Sequence, residues 1–434
     1  MNTRRWLSLT AAATTAAALV LATAGCSQST DSKPQSADSG KPVTISFWGW
    51  VPGIEDAVDL WNKSHPKIQV KFTRIASSDA ASLPTKIKAG TAPDVAQIAV
   101  HDLPTYVINQ QVEDLTSYIG KDKKDYAPSA WNGVEFDGKD YAVPQDSSPT
   151  ALMYRKDIFS QYGLTPPKTW DEYQADAKKL HDANPNIYLG QFSPNEPSMF
   201  YGDQIQAGGS WYGTSGNSWK VEIDNAKSQA VADRYQSLLD QHLLKVEQMW
   251  SPEYWADVNN GVIASINYAA WFPVLVEQNA PKLSGDWAVA PSPSESGDGP
   301  YADLGGSVDA VLKGSKHAEQ ASEFLTWLNS DPDSLSILIT KGGLFPAAKS
   351  GLKNTALNAT SDYWGGQNIS SVFAADLKNV STSAVEGPGY EAAYSALGDA
   401  LGKAANGQTT IGEALTQTGQ TMRDNIKKLG LSVK

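Results

Sequence analysis

The stretch from Tyr141 to Tyr173, YAVPQDSSPTALMYRKDIFSQYGLTPPKTWDEY, constrains the fold of this chain more than any other. A short strand, Tyr141–Val143, is halted by Pro144, which has no N–H to continue a ladder. The polar run 145–149 follows, and then a second apolar run, Ala151–Tyr154. The spacing predicts a helical segment over Lys156–Tyr162, a break at Pro166-Pro167 and a new helix. Thr169 with Glu172 three residues later is a capping box and marks that helix start. A strand that leaves one core, crosses a polar connection and enters another is the pattern of an interdomain hinge. Two lobes are also what the length requires, because 434 residues exceed what one core supports. A ligand crevice is expected beside the hinge.

Upstream, Val43–Trp48 reads as a buried strand ending in Gly49 and Trp50. A helix over 54–64 carries Ala57, Leu60 and Trp61 on one face, and Lys67–Ile75 alternates as a second strand. A helix over 80–89 and a third strand, Pro93–Ile98, complete the series. Strand, helix, strand, helix, strand at these lengths predicts a parallel α/β unit with right-handed crossovers. The loops after such strands face the ligand crevice. They hold Trp48, Gly49 and Trp50 after the first strand, and His101 and Asp102 after the third.

Downstream, helices are expected over 170–183 and 226–244, with a glycine-rich loop at 208–219 between them. Further strands are expected at Gly261–Asn267, Trp287–Ala290 and Leu304–Leu312. Helices are expected over 272–279 and 316–329. The segment 291–300 reads as a loop and Lys341–Pro346 as a turn.

Several kinds of chemistry find no support. A net charge of −12 argues against nucleic acid or an anionic membrane surface as the main partner. The five histidines, His65, His101, His181, His242 and His317, show no metal-ligand spacing, so neither a metal nor another cofactor is expected. Phosphate-binding, zinc-protease, nucleophile-elbow and EF-hand motifs are missing. The 47 carboxylates do not single out an acid and a nucleophile for glycoside hydrolysis. Tryptophan is conspicuous, with 14 copies.

The first residues read as an export signal over 1–25, with Arg4 and Arg5 before the apolar run Leu7–Thr23. Both the general secretory and the twin-arginine routes remain open. Ala24-Gly25-Cys26 resembles a bacterial lipobox, in which the cysteine thiol is lipidated. Residues 26–42 hold almost no large apolar side chain and read as a flexible tether.

The order of motifs resembles the carbohydrate-type extracellular solute-binding proteins of bacterial ABC importers, the family of the maltose-binding protein. The resemblance rests on Gly90-Thr91-Ala92-Pro93-Asp94-Val95 and on Gly138-Lys139-Asp140-Tyr141-Ala142-Val143-Pro144. It extends through Tyr154-Arg155-Lys156-Asp157, Pro167-Lys168-Thr169-Trp170-Asp171-Glu172, Asn267 to Trp271 and Gly305-Gly306-Ser307. Arg155 replaces the usual Asn, and the segment Asn267–Trp271 is one residue longer than the family pattern. The resemblance implies an α/β, two-lobed periplasmic-binding-protein-like fold, each lobe a sheet flanked by helices. It assigns 43–145 and 303–340 to the first lobe, 146–302 and 341–434 to the second. It also implies a monomeric lipoprotein on the outer face of the cell membrane, held there only through its anchor. That protein would capture an oligosaccharide by hinge closure, deliver it to an ABC permease and have no enzymatic activity. The rival readings are the same fold carrying a polyamine, iron or an anion, or an exported glycan-active enzyme.

A neutral sugar presents hydroxyls and apolar C–H faces, so its site needs indole platforms, carboxylates and amides. Trp48 and Trp50 follow the first strand. Asp102 ends the third strand where the family places a ligand-binding acid. Asp146 lies in the hinge, and Trp211 in the glycine-rich loop. Trp271 matches the family's stacking tryptophan. Gly305 and Gly306 allow close backbone approach; Phe345 and Gly343 are weaker candidates. Trp61, Trp170, Trp287 and Trp327 read as packing residues, whereas Trp250, Trp255 and Trp364 stay undecided.

Overall fold

The structure, a computed structural model, describes residues 42–434; the export signal, Cys26 and the tether up to Lys41 lie outside the described residues. Strands β1 (Val43–Gly49), β2 (Ile68–Arg74), β3 (Val95–Ala99), β4 (Val143–Pro144), β5 (Thr150–Arg155), β6 (Ser265–Ala269), β7 (Trp287–Pro291) and β8 (Ser307–Val311) form two separate sheets. The first has the order β2-β1-β3-β8-β4, and the second β6-β5-β7. β1 runs parallel to both β2 and β3, whereas β8 runs antiparallel to β3 and β4. The parallel unit expected from the sequence is therefore present, closed by a strand that returns from the far side of the chain. The second sheet is antiparallel, with β5 between β6 and β7.

The Tyr141–Tyr173 stretch connects these sheets. β4 belongs to the first and β5 to the second, and Gln145–Pro149 crosses between them. The strand begins at Val143, not Tyr141, because Lys139–Asp140 pairs locally with Glu135–Phe136. The helix Lys156–Tyr162 forms as expected, and Thr169 caps the helix Trp170–Ala183 through the Glu172 N–H.

Two further segments run beside the crossing and hydrogen-bond to it. The Thr150 N–H donates to the Ala302 carbonyl, and the Leu304 N–H to the Ser148 carbonyl. On the other side the Ser147 N–H donates to the Phe345 carbonyl, and the Ala347 N–H to the Gln145 carbonyl. The hinge is thus three bonded strands. Segment 346–354 keeps its bonds within the first lobe: Lys349 N–H to the Asp125 carbonyl, and Asn354 Nδ2 to the Pro332 carbonyl. Not until Tyr363, whose hydroxyl donates to the Ala280 carbonyl, is the chain tied to the second lobe. These bonds place the change of lobe later than residue 340.

Other local expectations shift for identifiable reasons. The segment 208–219 is not an open loop but leads into an antiparallel hairpin, Tyr212–Ser215 with Ser218–Val221. The helix from 226 ends at Asp240, because His242 adopts φ 55° and the chain turns into a short strand, Leu244–Val246.

Candidate functional site

A cavity of about 720 Å³ lies between the lobes. The first lobe contributes Trp50, Ser77, His101, Gly306, Ser307 and Lys341, and the hinge contributes Asp146. The second contributes Glu196, Ser198, Trp250, Tyr268, Trp271, Tyr390 and Tyr394. A second cavity of about 680 Å³ shares Asp146 and Ser307 with it and includes Gly305.

The second-lobe wall is aromatic because three chain segments converge there. β6 ends at Ala269, and the turn after it presents Trp271. The loop before the helix Pro252–Asn259 presents Trp250, whose backbone sits at φ 76°. The helix Tyr390–Ala405 supplies Tyr390 and Tyr394. The Trp250 and Trp271 rings lie 6.2 Å apart, 19° from parallel, and the Tyr268 ring meets the Trp271 edge at 5.1 Å. Trp250 is 40% exposed, an unusual position for an indole with a packed neighbour on one side.

The hinge is polar and mostly buried, with a hydrogen-bond network centred on Ser307. Asp146 Oδ1 accepts from the Ser307 N–H at 2.7 Å and from its hydroxyl at 2.6 Å. Gln97 Nε2 donates to Gln145 Oε1 at 2.6 Å and to Ser307 Oγ at 2.9 Å. Gln145 in turn donates to Asp309 Oδ2, which also accepts from Asn329. Burial raises Asp146 to about 6, while the Ser307 bonds pull it down. Burial raises Asp309 to about 7.

Of the residues singled out in the sequence, Trp50, Asp146, Trp271 and Gly306 line the main cavity, and Gly305 the second. The two glycines are required by chain packing: a Cβ on Gly306 would stand 2.5 Å from the Asp146 carbonyl oxygen, and one on Gly305 2.8 Å from His101 Cε1. Both also have positive φ.

Trp211, Phe345, Trp48 and Asp102 line neither cavity. Trp211 is fully buried, because its ring packs 4.5 Å from Tyr201 of the helix Pro197–Gln206 and so has a core to fill. Its Nε1 donates to Gln204, and its ring stacks 5.3 Å from Tyr390, so it backs a cavity residue. Phe345 is buried beside Phe373 and meets the hinge through its carbonyl. Trp48 packs against the core with Lys86 5.2 Å over its ring. Asp102 sits at the start of the helix Leu103–Ile108, behind His101. Burial, and then the charge of Glu391 from the other lobe, raise its carboxyl to about 7.

Of the undecided tryptophans, Trp250 lines the cavity, Trp255 stacks on Phe272, and Trp364 is buried with its Nε1 on Glu277. Glu196, Ser198, Tyr268, Tyr390 and Tyr394 were missed in the sequence. Only the position of Tyr268 inside the Asn267–Trp271 segment gave a signal. Among the described residues, no group of three or more His, Cys, Asp or Glu is placed to hold a metal ion, and no helix is long and apolar enough to cross a membrane.

Two solved structures illustrate the likeness of this fold to known proteins. The galacto-N-biose/lacto-N-biose I-binding protein of an ABC transporter from Bifidobacterium longum, in complex with lacto-N-biose, superposes with a TM-score of 0.82 at 31% identity, covering 92% of this chain and 100% of that one. The ABC transporter-associated binding protein from B. animalis subsp. lactis Bl-04, in complex with β-1,6-galactobiose, does so with a TM-score of 0.78 at 30% identity, over 91% and 100%. An arabinooligosaccharide-binding protein of Bacillus subtilis is 25% identical over 71% of this chain and 73% of its own length. The profile of the family described as bacterial extracellular solute-binding protein matches residues 49–333, a span that holds every strand of both sheets after β1 and the first two hinge strands. The chain belongs to the bacterial extracellular solute-binding protein family.

Proposed function

We propose that this chain captures an oligosaccharide between its lobes and delivers it to the permease of an ABC importer. The observation that carries this reading is the Trp250–Trp271 surface on one wall, facing the Asp146–Ser307 hinge on the other. Indoles meet the C–H faces of sugar rings, and the polar groups opposite them meet hydroxyls. A volume of about 720 Å³ is within the ordinary range for a small-molecule site. Both relatives of about 30% identity hold disaccharides, lacto-N-biose and β-1,6-galactobiose, which makes galactose-containing disaccharides the first ligands to test. Trp50, Asp146, Trp250, Trp271 and Ser307 are the proposed contact residues.

The protein acts as a monomer outside the cytoplasm, tethered by lipid on Cys26, and returns its ligand chemically unchanged. Titrating intrinsic tryptophan fluorescence with lacto-N-biose, β-1,6-galactobiose, lactose and diacetylchitobiose tests the sugar reading. A saturable shift with at least one of them is expected. Silence with every sugar alongside a clear response to spermidine or ferric iron would replace it. Product formation from a bound sugar by the protein alone would restore the enzyme reading.

A further inference from the structure

Glu196 lines the cavity, yet its carboxylate is already largely occupied. Oε2 accepts from Trp250 Nε1 at 2.7 Å. Oε1 accepts from the Tyr394 hydroxyl at 2.6 Å and the Tyr268 hydroxyl at 3.0 Å, and the Ser198 hydroxyl also donates to it. A carboxylate offers about four lone-pair sites. Three of the four donors crowd Oε1, and Oε2 is bonded to the Trp250 indole with one lone-pair site left. The donors come from four separate parts of the second lobe, and all four line the cavity.

What Glu196 holds is strained. Trp250 is a bulky residue at φ 76°, a backbone region that such residues seldom occupy and that persists only where the surroundings impose it. Next to it, Met249 and Asn195 exchange two hydrogen bonds, Met249 N–H to Asn195 Oδ1 and Asn195 Nδ2 to the Met249 carbonyl. Residues 195 and 196 thus grip 249 and 250 side by side.

The position in which Trp250 is held restricts the ligand. Carbon atoms in contact lie ~3.5–4.0 Å apart, so a sugar ring sandwiched between two indoles needs roughly twice that separation. The Trp250 and Trp271 centroids are 6.2 Å apart at 19°. No ring fits between them, and a ligand must lie along the pair.

Resting on the oligosaccharide reading, we infer that Glu196 is a positioning residue that presets Trp250 beside Trp271 as one two-indole platform, and that this platform makes the site select ligands of two or more sugar rings over single rings. A single ring covers one indole and gains little from the other.

The test compares affinities for lacto-N-biose and lactose with those for galactose and N-acetylglucosamine, in the parent protein and in three variants. Glu196→Gln turns two acceptors into one acceptor and one donor, so the amide N–H₂ faces hydroxyl or indole donors. It is expected to weaken disaccharide binding about tenfold while changing single-ring binding by less than about threefold. Trp250→Ala should show the same selective loss, and the double variant should lose no more than Trp250→Ala alone. Equal losses for one ring and two rings would make Glu196 a direct ligand contact, and additive losses would uncouple it from Trp250; either overturns the inference. If Glu196→Gln does not fold, Trp250→Ala decides by the same ratio. A parent protein that binds none of the four sugars overturns the oligosaccharide reading itself, which is a separate result.

Discussion

The two walls of the cleft are built on different plans. On the second lobe, the indole of Trp250 and the hydroxyls of Tyr268 and Tyr394 are tied to one carboxylate, and Trp271 is packed between rings. On the first lobe, Trp50 is held by its backbone. Its N–H donates to Gln97 Oε1 at 2.8 Å and its carbonyl accepts from Arg74 at 2.6 Å. Among the described residues no group accepts from its indole N–H. A preset wall binds first because its ordering cost is met during folding; a free one completes the site as the lobes close. The comparison separates capture from closure.

The sharpest way to break that division is Trp271→Ala. If the preset wall supplies most of the affinity, removing its central indole should cost about 2–3 kcal/mol, roughly 30–150-fold in Kd for a disaccharide. Fluorescence titration or calorimetry reads this directly, and an unchanged Kd would move the capture surface elsewhere. Next in size is Ser307→Ala in the hinge. It removes one of two donors to Asp146 and one acceptor of Gln97, with Ser307 and Gln97 both buried. A stability loss of about 1–2 kcal/mol is expected, seen as a lower urea midpoint without ligand. Trp50→Phe should be milder, about 1 kcal/mol in affinity, because a six-membered ring survives while the five-membered ring and its free N–H are lost. Its effect should fall on the off-rate, since the contact forms on closure.

Periodicity and turn chemistry made the frame of the fold legible from sequence. The helices Ile54–Ser64, Lys156–Tyr162 and Trp170–Ala183 and the parallel order β2-β1-β3 follow from local pattern. The crossing at 145–149 was legible because a polar run between two apolar strands has no other economical explanation. The candidate site was legible where a residue follows a strand end, as Trp50 and Trp271 do. It was not legible where long-range packing decides. Nothing local distinguishes Glu196 from the other carboxylates, because its role comes from donors at 250, 268 and 394. Trp211 looked free in a glycine-rich loop because its partners, Gln204 and Tyr390, lie far along the chain.

The smallest effect tests the closure side of the comparison through pH. Asp102 on the first lobe is raised to about 7 by burial and then by Glu391, and Glu386 is raised to about 7 by burial and then by Asp102. Glu386 and Glu391 belong to the second lobe, so three acids meet across the closed cleft. His101 between them stacks 4.3 Å from Tyr390, and burial lowers it to about 4, so it stays neutral from pH 5 upward. Tyr390 and Tyr106 are raised by burial and do not titrate there either. Opening readmits water and returns Asp102 toward its ordinary value of about 3.9. The closed form then binds more protons than the open form between about pH 4 and pH 7. Its advantage is full below that window, shrinks as pH rises through it and is constant above it. Disaccharide affinity should therefore fall a few-fold between pH 5 and pH 7.5 and level off beyond. Asp102→Asn keeps the shape and removes the charge, so it should flatten the profile at the tighter, acidic value. A flat profile in the parent protein would mean that these acids are already solvated when the cleft is closed, and closure would then rest on the hinge and Trp50 alone.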